Sequence, residues 1–169
     1  MAKDVELQIR QIFSRAQRAV VDAVSAKATK AVGEKAVEIV RRRTRLGYGA
    51  TENFGQRSRL KPLSSKYVAF RSTFSELYSQ TTPKRSNLTL TGQMLDSLRV
   101  ISSVRGAVVI GPKGARDDEK TNEEIAGYVS EQGRPFLFVT TLEFNQLFRF
   151  YRQTFTDLLK RARVGYRRK

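Results

Sequence analysis

Five carboxylates fall between positions 117 and 124: Asp117, Asp118, Glu119, Glu123 and Glu124. Oxygen ligands at that density can hold Mg²⁺, the chemistry of a metal-dependent nuclease. Such a site needs ligands converging from separate elements, and acids in one polar stretch ordinarily face water. Gly111-Pro112-Lys113-Gly114 sits after a β-rich run, where phosphate cradles occur. It lacks the GxxxxGK[ST] spacing, and Pro112 removes an N–H donor, so it reads as a turn. Ser64-Ser65-Lys66 lacks the SxxK spacing of an acylating serine. Asn87-Leu88-Thr89 fits a glycosylation acceptor only in an exported chain. The chain has no Cys and no His. Disulfide frameworks, zinc ribbons, Cys–His pairs and serine triads are therefore impossible. The expectation is a protein that is not an enzyme, with no cofactor and no metal.

What remains is charge. Thirty-two Lys and Arg oppose sixteen Asp and Glu, a net of +16 over 169 residues. Residues 1–46 carry a net of +6, residues 47–140 a net of +4, and residues 141–169 a net of +6. Basic ends predict attraction to a polyanion or to an acidic protein neighbour, and composition alone does not separate the two. Arg41, Arg42, Arg43 and Arg45 form one cluster, and Arg161, Arg163, Arg167, Arg168 and Lys169 a second. The first stands where a helix ends, so complementing the helix dipole explains its position without a ligand. Gripping phosphates is the alternative.

The elements that carry these charges follow from periodicity. Apolar residues at Val5, Ile9, Ile12/Phe13, Ala16, Ala19/Val20, Ala23/Val24, Ala28, Ala31/Val32, Ala36/Val37 and Ile39/Val40 recur in threes and fours, predicting a long helix over 1–46 with a narrow Ala/Val stripe. Gly33 marks a possible kink. Residues 47–61 read as an exposed loop, and a helix capped by Ser64 or Ser65 follows Pro62. Leu90 to Leu98 is in helical register. Leu98–Val104 and Ala107–Ile110 are β-branched runs joined by Arg105-Gly106, a hairpin. Ile125–Val129 is ambiguous between helix and strand. Phe144, Leu147, Phe148, Tyr151, Phe155 and Leu158 give an aromatic stripe on a helix over 141–163, with Thr140 or Thr141 as its cap and a flexible tail at 164–169. The fold class expected is α+β: one domain with a long N-terminal helix, a small mostly antiparallel sheet and a C-terminal helix. No apolar run is long enough to span a membrane. The first residues carry acids where a signal peptide needs basic then apolar ones, predicting a protein that stays in a reducing cytoplasm.

Three ordered segments carry a resemblance. Leu88-Thr89-Leu90-Thr91-Gly92-Gln93-Met94-Leu95-Asp96-Ser97-Leu98 is similar to the TG-x-L-x-x-S-[IL] signature of small neck and tail-completion proteins of long-tailed bacteriophages. Ala126 to Gly133 resembles the family's YA-x-x-x-E-x-G stretch, and Arg134-Pro135-Phe136-Leu137 its RPF motif before the last helix. Upstream, Leu60 to Tyr67 followed by Arg71 is similar to the related virion-morphogenesis proteins. Gly127 stands where an Ala is commoner, and Val139-Thr140-Thr141 replaces a usual Pro-Ala ending. The resemblance spans residues 60–160.

It implies a virion protein, made in the host cytoplasm, that completes the tail or joins it to the head as a ring, most often of six subunits. The implied partners are further copies of itself, the head-completion or connector proteins, and the tail-tube or tail-terminator proteins, with packaged DNA passing near. The implied assembly residues are Leu60, Pro62, Leu63 and Ser64, then Thr91, Gly92, Leu95 and Ser97, then Gly133, Arg134, Pro135 and Phe136. The basic ends would meet an acidic neighbour or DNA. The alternative is a free nucleic-acid-binding protein.

Overall fold

The computed structural model describes residues 2–51, 55–75, 82, 84–115 and 120–167, with side chains described over 17–51, 55–73, 75, 82, 84–115 and 120–162. The elements in chain order are α1 (Ala2–Arg45), β1 (Tyr48–Ala50), β2 (Arg57–Arg59), α2 (Ser65–Phe74), α3 (Gln93–Asp96), β3 (Leu98–Val104), β4 (Ala107–Pro112), α4 (Asn122–Glu131) and α5 (Thr141–Arg167). The fold is α+β. It holds two small antiparallel sheets of two strands each, β1–β2 and β3–β4, where one sheet was expected.

The α1 helix is the spine on which both the β3–β4 hairpin and α5 pack. Its Ala/Val stripe explains this. Val24, Ala28, Ala36, Val37 and Val40 are buried, and small side chains let neighbours approach its backbone. The helix continues through Gly33 without the expected break. A Cβ at that position would overlap Val108 Cγ2 and come within 2.8 Å of Val100 Cγ2. Gly33 is therefore a seat for the hairpin, and its low helix propensity is the cost of close packing.

The hairpin registers as the β-branched runs predict, Leu98 opposite Pro112 and Val104 opposite Ala107, with a bulge between Val100 and Ser102. Gly106 supplies the positive φ that the two-residue turn requires. At the lower end of the hairpin lies the core: Val37, Val40, Met94, Leu95, Leu98, Ala126 and Phe136, with Phe136 and Leu95 fully buried.

The helix starts agree with their sequence signals. Ser64 accepts from the Tyr67 N–H and caps α2. Thr140 and Glu143 cap α5 reciprocally, the Glu143 N–H bonding Thr140 Oγ1 and the Thr140 N–H bonding Glu143 Oε2. Four differences from expectation stand out. The 47–61 stretch contains β1 and β2. The helix expected within Leu90–Leu98 shrinks to the single turn of α3. The ambiguous Ile125–Val129 segment lies in a helix, α4, opened by a Thr121–Glu124 capping box. The last helix extends to Arg167, into the stretch expected as a tail from 164.

Candidate functional site

The arginine cluster after residue 40 divides by helical geometry. Arg41 points back to the 95–98 turn, donating from Nε to the Leu95 carbonyl (3.0 Å) and from Nη2 to the carbonyls of Asp96 (3.2 Å) and Leu98 (3.0 Å). Arg45, one turn further on the same face, pairs with Asp96 Oδ1 at 2.5 Å. Arg43 leaves on another side with only 3% of its side chain exposed. Its Nη1 bonds the Glu143 carboxylate, and its Nη2 donates to the carbonyls of Phe136 (2.5 Å) and Phe138 (2.7 Å). Burial pushes the Arg43 guanidinium below its ordinary value, the Glu143 charge opposes that, and the nearby positive charge of Arg57 adds to it.

These contacts correct the reading of Arg41, Arg43 and Arg45 as free polyanion contacts. Their donors tie α1 to carbonyls and carboxylates of the same chain. Arg42, Arg43 and Arg45 do occupy the last turn of α1, as the dipole account expects, and acceptors from residues 95–98 and 136–143 add to it. Arg42 alone in the cluster is exposed and has no partner among the described residues. In the second cluster Arg161 is exposed, while the side chains of Arg163, Arg167, Arg168 and Lys169 lie outside the described residues.

The residues implied by the resemblance form a connected set. Arg134 donates from Nε to the Lys61 carbonyl and from Nη2 to the Pro62 carbonyl, each at 3.2 Å, joining the 60–65 loop to the 133–136 segment. The Ala50 N–H bonds the Pro135 carbonyl, bringing β1 alongside. A Cβ at Gly49 would overlap that carbonyl oxygen and lie 2.8 Å from Leu60 Cδ2, so only glycine allows this approach.

Leu60, Leu95 and Phe136 are interior side chains, and Gly92 is a buried residue at φ 82° that starts α3. This corrects their placement at an assembly surface: they shape the interior of this chain. Thr91 bonds the Gln93 N–H, and Ser97 bonds the Met94 carbonyl, so both stabilise the α3 turn. Pro62, Ser64 and Gly133 are exposed, while Leu63, Arg134 and Pro135 are half-buried.

Arg71, quoted only as part of a motif, is 1% exposed. It donates to the Arg85 carbonyl and to Asn87 Oδ1, each at 3.2 Å, and burial lowers its pKa. It anchors the 85–89 segment to α2. Of the carboxylate cluster, Asp117, Asp118 and Glu119 lie outside the described residues. Glu124 caps α4, and among the described residues no three potential ligands converge on a metal position.

Two concave surfaces remain. The first is an apolar groove of about 970 Å³, floored by Thr29, Val32 and Ala36 of α1 and walled by Ala107, Val108 and Ile110 of β4 on one side. Phe144, Leu147, Phe148 and Tyr151 of α5 form the other wall, with Leu137 to Val139 at one end, and no charged side chain lines it. Phe144 and Phe148 are 45% and 53% exposed. The second is a cleft of about 550 Å³ between the end of α1, the start of β2 and the start of α5. Lys35, Arg42, Arg43 and Arg57 line it, together with Glu38, Glu143, Leu46 and Leu142.

No helix of the described residues is long and apolar enough to cross a membrane. Neither a protein-family model nor a curated protein nor a solved structure matches the chain.

Proposed function

We propose that this chain is a non-catalytic structural subunit of a bacteriophage virion, completing the tail or joining it to the head as a ring in the neck. The observation that carries the assembly half of this reading is the uncovered apolar groove. Contiguous exposed aromatic and aliphatic surface is costly in a free monomer and marks a contact with another chain. The occupant under this reading is a second copy, bound through a heterologous contact that closes by rotation. The exposed apolar side chains on the hairpin itself, Ile101, Val104 and Val109, offer further apolar surface for such a contact. The virion half rests on the three motif segments and on Arg134, which ties the last of them to the upstream 60–67 stretch.

Light scattering of the purified chain tests the assembly half, with a ring-sized particle expected. Phe148→Asp, placed in the groove wall at an exposed position, should yield a folded monomer. Mass spectrometry of purified virions tests the other half, and absence of the chain from particles would overturn it.

A second reading, a nucleic-acid-binding protein, is favoured by Arg149, Arg152, Lys160 and Arg161, all exposed along α5. It predicts copurifying nucleic acid and an affinity falling steeply with salt.

A further inference from the structure

We infer that the cleft between the end of α1 and the start of α5 receives a carboxylate-bearing, partly aliphatic segment of a different protein. The argument starts from its charge balance. Its two carboxylates are already committed, Glu143 to Arg43 and Glu38 to Lys35 at 2.7 Å. Arg42 and Arg57 have no carboxylate partner among the described residues. The Arg57 guanidinium lies 3.7 Å from the centroid of the Tyr48 ring, which holds it flat while leaving its donors open. The positive end of the α5 dipole adds to the field at the same cleft. The surface is thus built for negative charge that the described residues do not supply.

What selects a protein over a nucleic acid is the apolar rim. Leu142 is 76% exposed and Leu46 is 48% exposed, both lining this cleft. Strand-binding surfaces place aromatic rings beside their cations for base stacking. Among the described residues the one ring near the cations is covered by Arg57, and the large apolar side chains left open at the cleft are aliphatic. An exposed Leu beside a bidentate guanidinium fits an acidic segment that also carries Leu- or Val-like residues. A second copy of a chain with a net charge of +16 is a poor source for it. The inference rests on the reading of the chain as a subunit flanked by other proteins, and its test separates the two.

The experiment measures fluorescence anisotropy of a labelled peptide of repeating Glu-Glu-Leu-Leu units, beside a labelled oligothymidylate of equal formal charge. It compares the full chain with R42Q/R57Q, with R149Q/R152Q, which removes the same charge from the exposed face of α5, and with Leu142→Ser. All four positions carrying arginine substitutions are at the surface or half-buried at most, and circular dichroism melts confirm that each variant folds. Peptide affinity should fall about tenfold or more in R42Q/R57Q, as expected when desolvated charged contacts are removed. It should change less than about twofold in R149Q/R152Q, and Leu142→Ser should weaken the peptide while leaving the oligothymidylate unchanged.

Equal losses in the two arginine pairs would reduce the cleft to diffuse charge and overturn the inference. So would an oligothymidylate that depends on Arg42 and Arg57 more than the peptide does. Light scattering on R42Q/R57Q completes the test: an unchanged oligomer is expected, and a dissociated one would make the cleft a self-contact. A monomeric unsubstituted chain, by contrast, would undo the ring reading and leave the cleft's affinity standing.

Discussion

Arg43→Met removes one guanidinium and strands three acceptors at once. Glu143, 13% exposed, loses its ion-pair partner among the described residues, and the carbonyls of Phe136 and Phe138 lose theirs from the same side chain. Breaking a buried pair by deleting one member costs about 3–5 kcal/mol, because the remaining charge stays buried and uncompensated. Methionine restores most of the packed volume, so little of that figure is cavity. For a chain of this size each kcal/mol moves the melting midpoint by roughly 2–4 °C, which puts the expected drop at about 6–20 °C.

The double variant R43M/E143Q separates charge from shape. It removes the stranded carboxylate and keeps an amide that can still accept from the Thr140 N–H, so it should recover about half of the loss or more. Differential scanning calorimetry at low protein concentration reads both. A loss under about 1 kcal/mol in R43M, or a double variant no better than the single, would refute the assignment of Arg43 as the clasp between α1 and α5.

Three further outcomes follow from the packing. Gly33→Ala raises helix propensity by about 1 kcal/mol in an isolated helix. Here overlap with Val108 should reverse the sign and destabilise by about 1–3 kcal/mol, read by chemical denaturation. Asn87→Ala removes an acceptor from buried Arg71 together with the partner of Thr89 Oγ1, and should cost about 1–3 kcal/mol in the same assay. Glu124 accepts from the Thr121 N–H and hydroxyl, which hold its carboxyl below the ordinary value. A depressed pKa contributes stability fully present above the unfolded value of about 4.3, and lost as pH falls through the folded one. The Glu124 carboxyl resonance should therefore titrate below that of a glutamate in an unstructured peptide. Glu124→Gln should flatten the acid limb of the stability curve.

The sequence made some of this legible and hid the rest for physical reasons. The β3–β4 hairpin was legible because β-branched runs and a two-residue turn are both local signals, although β4 runs on through Gly111 and Pro112, which read as a turn. The caps at Ser64 and Thr140 were equally local. The Thr121-x-x-Glu124 box was present in the sequence and would have settled α4 as a helix. Strands β1 and β2 carry Tyr-Gly-Ala and Arg-Ser-Arg, with no alternation to find. They pair because Gly49 lets the chain run against the Pro135 carbonyl, a contact spanning more than eighty positions. The arginines misled for the same reason. Helical spacing shows that Arg41 and Arg45 share a face that Arg43 does not. Nothing local reveals that carbonyls from residues 95–98 and 136–138 await them. Arg57, which joins Arg42 at the cleft, lies in the stretch read as a plain loop.

The contacts of Arg43 also set an order of events during synthesis. α1 is made before its clasp partners, which lie 93 to 100 positions downstream. Helix formation is fast, but contacts so distant in sequence cannot form until the later segment has been made. At roughly 5–20 residues per second of translation, the Ala/Val stripe of α1 waits about 5–20 seconds for the 136–143 segment. A stripe of small residues, weakly adhesive and well hydrated by flanking Lys and Arg, suits a helix that must wait. Placing the bulky aromatic stripe on α5, made after α1 and the hairpin it packs with, shortens the time for which the stickier surface stands exposed.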